Sequence, residues 1–283
     1  METRNMTTSL KYLAATLVLG ICGTTAIAAP VDLRDWDAES YPAVSGFNPG
    51  VWTPASDGSS VYQSVNGQPT LYYSDFNAFG TKVTGKIKVE TTGDDDFIGF
   101  VLGFQPGDTT SSTADYLLVD WKQSSQSFDF GNPSSTPGGT ADRGLAVSRV
   151  TGIPTADEFW QHTDYLTHSG GGVEELQRGL TLGSTGWTDN VEYEFTFDFG
   201  PGNLQVFVNG VKQLDIVGAF ENGRIGFYNF SQSDVRYSAF TKETGSFPPP
   251  TAVPEPESWA MMIAGFGLAG VMIRRRRAGL AAI

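Results

Sequence analysis

Residues 192–217 read EYEFTFDFGPGNLQVFVNGVKQLDIV. Tyr193, Phe195, Phe197 and Phe199 alternate with Glu192, Glu194, Thr196 and Asp198. That period of two marks a strand with one face in a core and the other in water. Gly200-Pro201-Gly202-Asn203 turns the chain, and Leu204, Val206 and Val208 supply the apolar side of a second strand. Asn209-Gly210 is the strongest short-range hairpin signal, and it leads into a third strand at Val211–Val217. Outward from this meander, strands are predicted at Thr84–Glu90, Phe97–Phe104, Tyr116–Trp121, Gly144–Val150, Arg224–Phe230 and Val235–Phe240. Gly/Ser/Thr/Pro-rich stretches at Pro106–Thr113 and Asn132–Asp142 read as loops, and Thr155–Trp160 as a turn or two of helix. Many short strands with turn signals between them predict an all-β sandwich or barrel.

The two ends read differently from the middle. Arg4 and Lys11 precede an apolar run from Tyr12 to Ile21 and a small-residue segment ending at Ala28. This basic, apolar, small order is that of a secretory signal peptide, expected over residues 1–28 with cleavage after Ala28. Near the other end, residues 245–253 form a proline-rich spacer of the stiff polyproline kind. Pro254-Glu255-Pro256 follows, then an apolar stretch from Trp259 to Ile273 and the run Arg274, Arg275, Arg276, Arg277. As a helix that stretch spans about 22 Å, short of the ~30 Å hydrocarbon layer. A basic run after an apolar helix stays on the cytoplasmic side, so the domain before it is expected outside the inner membrane.

Of 31 acidic and 18 basic residues, 28 and 12 lie between residues 30 and 250, a net charge of −16 there. Nucleic-acid binding is disfavoured, because phosphate contacts need clustered Lys and Arg. An acidic surface suits solubility and divalent cations instead. The single cysteine, Cys22, falls within the expected signal peptide, so no disulfide is expected in the mature domain.

Two family resemblances rest on these residues. Pro254-Glu255-Pro256-Glu257-Ser258-Trp259-Ala260-Met261-Met262-Ile263-Ala264-Gly265-Phe266-Gly267, with the arginine run after it, resembles the PEP-CTERM sorting signal. The resemblance implies an exosortase as transient processing partner, a Gram-negative exopolysaccharide producer, and passage to the cell surface or matrix. The second spans about Asp75 to Phe240. Asp94-Asp95-Asp96-Phe97-Ile98-Gly99-Phe100-Val101-Leu102-Gly103-Phe104-Gln105 resembles the signature strand of the thrombospondin C-terminal module. Tyr116–Gln123 with its Trp-Lys-Gln ending, Trp160-Gln161-His162-Thr163, Gly186-Trp187-Thr188-Asp189 and Gly223–Gln232 continue the likeness in order. It implies a concanavalin A-like, L-type lectin-like jelly-roll sandwich over residues 29–244, outside the cell, associated with calcium and adhesion. The calcium repeats that normally precede that module are absent, and the loops at Gly107–Thr113 and Asn132–Asp142 look longer than usual.

Candidate chemistry centres on Asp94, Asp95 and Asp96. Aspartate is disfavoured in strands, and three adjacent carboxylates at a strand entrance repel one another unless a hard cation relieves them. From the residues alone a solvated acidic loop is an equal reading; the resemblance tips it to calcium. No EF-hand loop is present. The only histidines, His162 and His168, have no nucleophile motif nearby, and His162 reads as structural. Glu192 and Glu194 share a strand face, yet the face continues with Thr196 and Asp198 rather than the E-x-D-x-x-E pattern of laminarinase-type hydrolases. Trp36, Trp52, Tyr62, Tyr72 and Tyr73 are candidates for a sugar-stacking platform, with core burial as the default. The expectation is a non-catalytic surface or matrix protein that binds extracellular polysaccharide or a surface protein. A polysaccharide hydrolase and a purely structural surface module are the rivals.

Overall fold

The computed structural model describes residues 27–131, 137–165 and 171–244. The expected signal peptide up to residue 26, His168, the proline-rich spacer, Pro254-Glu255-Pro256, the apolar stretch and Arg274–Arg277 lie outside the described residues. Among those described, no helix is long and apolar enough to cross a membrane.

The strands are β1 (Ile27–Pro30), β2 (Asp37–Ser40), β3 (Trp52–Pro54), β4 (Ser60–Gln63), β5 (Thr70–Asn77), β6 (Thr81–Val89), β7 (Phe97–Phe104) and β8 (Asp115–Lys122). They continue with β9 (Gln126–Phe128), β10 (Gly139–Ala141), β11 (Gly144–Gly152), β12 (Gly171–Arg178), β13 (Glu192–Gly200), β14 (Asn203–Val208), β15 (Val211–Val217), β16 (Arg224–Phe230) and β17 (Val235–Thr244). One sheet runs β15-β14-β13-β6-β17-β4-β3, with β1 also paired to β17. The other runs β12-β11-β8-β7-β16-β5-β2, and β9 and β10 form a separate hairpin. Every pairing between these described strands is antiparallel. Of the sandwich and the barrel that the strand pattern allows, the sandwich implied by the family resemblance is the architecture found.

The two sheets face each other across one apolar core. Phe195, Phe197 and Phe199 of β13 meet Ile98, Phe100 and Leu102 of β7 and Leu117, Val119 and Trp121 of β8 there. Fully burying each such side chain is worth roughly 1.5–3 kcal/mol. The outer face of β13 stays wet, which is why its sequence alternates. The second sheet has a further apolar layer on its outer side, where Phe97, Val101, Tyr116, Leu118, Tyr228 and Phe230 pack under a cover. That cover includes helix α1 (Ala156–Gln161), which contributes Phe159 and Trp160, together with Tyr41 and Phe130. Strands β7, β8 and β16 are therefore buried on both faces, and their sequences run nearly continuous in apolar residues. A capping box starts α1: the Thr155 side chain accepts from the Glu158 backbone N–H, and the Glu158 carboxylate accepts from that of Thr155.

Several elements differ from expectation. Strands β2 to β5 and β12 carry no clear alternation and are absent from the sequence reading, and β10 occupies part of the Asn132–Asp142 stretch. Of the aromatic platform candidates, Trp36, Tyr72 and Tyr73 are core residues, while Trp52 and Tyr62 are half-buried. Trp52 stacks on Tyr72 at 5.5 Å between ring centroids, so it is committed to packing. Glu192 and Glu194 lie exposed, Glu192 paired with Lys86 at 2.7 Å, which is the solvated strand face.

Strand β17 organises the long axis. Its start pairs with the ends of β6 and β4, through Val235↔Val89 and Val235↔Gln63. Its end pairs with Thr81 and with β1, through Thr244↔Ile27. A bulge between Ser238 and Thr241, with Ala239 at φ 51°, separates the half flanked by β4 from the half flanked by β1. Both ends of the domain thus leave from one pole. The expected cleavage after Ala28 falls within β1 and would keep Ala29 and Pro30 on the sheet.

Candidate functional site

Asp94, Asp95 and Asp96 enter β7 at the opposite pole, where the segments after β4, β6 and β16 converge. One ligand atom from each aspartate lies within 4.8 Å of those from the other two, so the residues named from sequence are brought together. The Asp96 backbone is pinned from several sides. Its N–H donates to Gln232 Oε1 at 2.9 Å, and its carbonyl accepts from Trp187 Nε1 at 3.1 Å. Antiparallel register sets Phe97 opposite Lys122, so the Lys122 ammonium reaches the Asp96 carboxylate in direct contact. Both side chains are nearly or fully buried, at 0% exposure for Lys122 and 5% for Asp96.

Asp94 lies beside Asp96. Its carboxylate accepts from the Asn66 amide and from the Asp95 backbone N–H, the latter at 3.2 Å. Burial, together with the adjacent Asp96 charge, pushes the Asp94 carboxyl up to about 7. Two carboxylates held this close resist ionising together, and a divalent cation would relieve them in place of a proton.

Asp94 and Asp96 line a recess of about 200 Å³. Asn66, Gln126 and Ser231 add amide and hydroxyl groups to its lining. Phe47, Phe128, Phe130 and Trp160 supply aromatic walls, and Phe128 is 41% exposed. The recess combines carboxylates, neutral hydrogen-bonding groups and ring surfaces. Sequence reading missed Asn66, Gln126 and Ser231, which come from distant segments with no local signal. Lys122 carried one: on strand alternation it falls, with Asp120, on the same doubly buried face as Tyr116 and Leu118, where a charge needs a partner.

Trp160 also borders a second, more polar recess of about 250 Å³, shared with Thr140, Asp142, His162, Glu175 and Arg178. His162 closes α1 in the left-handed conformation. Its Nε2 lies 2.9 Å from Asp120 Oδ2, and its Nδ1 3.2 Å from Glu175 Oε2. Burial alone would lower the His162 pKa, but the Asp120 and Glu175 carboxylates outweigh it and hold the imidazole up to about 9. Burial would raise Glu175, yet His162 and Arg178 hold it down to about 2. Arg178 grips Glu175 through Nε at 2.9 Å and Nη2 at 2.6 Å. Gly99 of β7 makes room for this network: a Cβ there would meet Val119 O at 2.2 Å and Asp120 Cβ at 3.1 Å. Both ring nitrogens of His162 thus lie within hydrogen-bond reach of carboxylates, Asp120 on one side and Glu175 on the other.

Comparison with known proteins agrees with the motifs. A family model for the PEP-CTERM protein-sorting motif matches residues 252–277. Cartilage oligomeric matrix protein of Rattus norvegicus is 27% identical over 195 residues, covering 65% of this chain and 24% of that protein. Thrombospondin-4 of Bos taurus is 27% identical over 199 residues, covering 66% of this chain and 19% of its own length. The chain therefore spans about a fifth to a quarter of these relatives. Among solved structures, the carbohydrate-binding module CBM66 from Bacillus subtilis matches with a TM-score of 0.45 and 9% identity, covering 71% of this chain and 96% of that one. The model of the thrombospondin C-terminal region matches residues 48–244, beginning well before Asp75 and spanning most of the sandwich. The chain belongs to the thrombospondin C-terminal region family and carries a PEP-CTERM sorting motif behind that module.

Proposed function

We propose that this chain is an exported, non-catalytic adhesion or matrix module that binds extracellular polysaccharide, with calcium held at Asp94–Asp96. The observation that carries the reading is the recess at the pole away from Ile27 and Thr244. It joins the carboxylates of Asp94 and Asp96, with Asp95 clustered beside them, to amide and hydroxyl groups and to aromatic walls. Sugars present hydroxyls at their edges and apolar C–H faces, which such a lining complements. Calcium takes six to eight oxygen ligands; Asp94, Asp95, the Asp96 oxygen that Lys122 does not contact and the Asn66 amide oxygen would supply the protein's share. Bound there, the ion would neutralise the aspartates and offer open positions to ligand hydroxyls.

The sorting motif supports export and surface delivery. Residues 1–28 would be removed as a signal peptide, and an exosortase would act near Pro254-Glu255-Pro256. Until then the apolar helix and Arg274–Arg277 would hold the domain at the inner membrane of a Gram-negative cell. Intact-mass measurement of the surface-associated product is expected to show neither Met1–Ala28 nor the arginine run. Retention of Arg274–Arg277 would make it a permanent membrane protein. For binding, the exported protein is applied to a glycan array with and without calcium, beside a reducing-sugar assay on the producer's own polysaccharide. Calcium-dependent binding without new reducing ends is the expected result. Release of reducing ends would make it a hydrolase, and silence in both assays would favour a purely structural module.

A further inference from the structure

Lys122 is fully buried at the end of β8. Its ammonium contacts the Asp96 carboxylate and lies 3.4 Å from the Asp95 backbone carbonyl, 3.4 Å from Gln126 Oε1 and 3.8 Å from Asp95 Oδ1. The rings of Trp160 and Phe97 cover it, with centroids 4.4 and 5.3 Å from Nζ. Four oxygens within 3.8 Å and two aromatic rings surround this charge. Taking an ammonium out of water costs several kcal/mol unless such partners compensate, and an apolar side chain of similar length would fill the space without that cost.

We propose that the Lys122 ammonium is a built-in cation for the oxygen cage of Asp95, Asp96 and Gln126, and that it sets the affinity of the adjoining carboxylates for an external cation. With Lys122 in place the ionised triad carries a net charge of −2, matched by one divalent ion on the Asp94 side. Without it the charge is −3 and the cage itself is open to a cation. The inference deepens the calcium reading of the same triad and rests on it for the second half only.

The test uses the exported protein with Lys122→Ala, which empties the cage, and Lys122→Met, which fills it without charge. Ethylammonium, methylammonium and tetramethylammonium are added as chlorides at matched ionic strength, and melting temperature is followed. The small primary ammonium ions are expected to stabilise Lys122→Ala and leave the wild type unmoved. Tetramethylammonium, with no N–H donors, is expected to do nothing. Calorimetry is expected to show calcium binding at least about tenfold tighter in both variants than in the wild type, since a positive charge a few ångströms away has gone. Rescue by ethylammonium with no calcium binding by any form would keep the built-in cation and discard the calcium reading. Lys122→Ala unresponsive to every cation would overturn the proposal. Should that variant fail to fold in all conditions, Lys122→Met decides: wild-type stability and wild-type calcium affinity together would overturn the proposal, and loss of stability or tighter calcium binding would uphold it.

Discussion

The His162 network permits a quantitative test. His162 has 6% side-chain exposure and sits between Asp120, with none, and Glu175. Lifting a histidine from 6.5 to about 9 corresponds to about 3 kcal/mol in favour of the folded state. Because the folded pKa is the higher one, that stabilisation is complete below pH 6.5 and is lost as pH rises through about 9. Substituting His162→Gln removes it and leaves the buried Asp120 carboxylate without its cation, so the variant is expected to lose about 3–5 kcal/mol at pH 6. Urea denaturation of both proteins, followed by tryptophan fluorescence from pH 6 to 9.5, gives the difference curve directly. Taking the difference also cancels Asp94, whose raised pKa erodes calcium-free stability between about pH 4 and 7 in both proteins. The difference is expected to stay flat to about pH 6.5 and then shrink by some 3 kcal/mol. A gap that does not change with pH would refute the argument, as would an NMR titration placing the His162 midpoint near 6.5. Asp120→Asn should shift the steep part of the wild-type curve to lower pH, because it removes the larger of the two attractions.

Four further outcomes are expected. Calcium at a hundredfold excess over its dissociation constant should add about 2.7 kcal/mol, a rise of about 5–10 °C in Tm for a domain of this size. Asp94→Asn, which spares the Lys122–Asp96 contact, should abolish most of that rise in differential scanning calorimetry. Phe197→Ala empties a site of 0% exposure packed 4.6 Å from Phe100 and should cost about 3–5 kcal/mol by urea denaturation. Thr155→Ala breaks the α1 capping box and should cost about 1 kcal/mol, measured in the same way.

Legibility in the sequence followed burial geometry. Strands β13 and β14 bury one face and read as alternation; β7, β8 and β16 bury two and read as apolar runs. Strand β12 hid because it is an edge: Glu174 and Leu176 are exposed and only Val173 is deep in the core. In β5, Tyr72 and Tyr73 pack into different apolar layers on opposite faces of the sheet, a division that single-residue character does not reveal. The triad was legible because three carboxylates in a row lack a bland strand explanation. Asn66, Gln126 and Ser231 were not, because they reach it only through the pairing of segments distant from it in sequence, and the buried position of Lys122 on β8 signalled a need for a partner without naming Asp96. Asp120 and His162 likewise become neighbours only once α1 folds over the outer face of β8.

The course of β17 also fixes how the domain bears tension. The strand is about 30 Å long, with the aspartate recess beyond its start and the exit of the chain at Thr244. On one side it is bonded to β6, and on the other to β4 and then β1. A load applied between Thr244 and the aspartates runs along the strand. The hydrogen bonds on both flanks lie across that load and share it, so they must rupture together instead of opening one by one like a zipper. A handle attached at residue 244 and another at the recess should therefore resist pulling far better than a pair attached to β14 and β15, where the same kind of bond faces the force end-on.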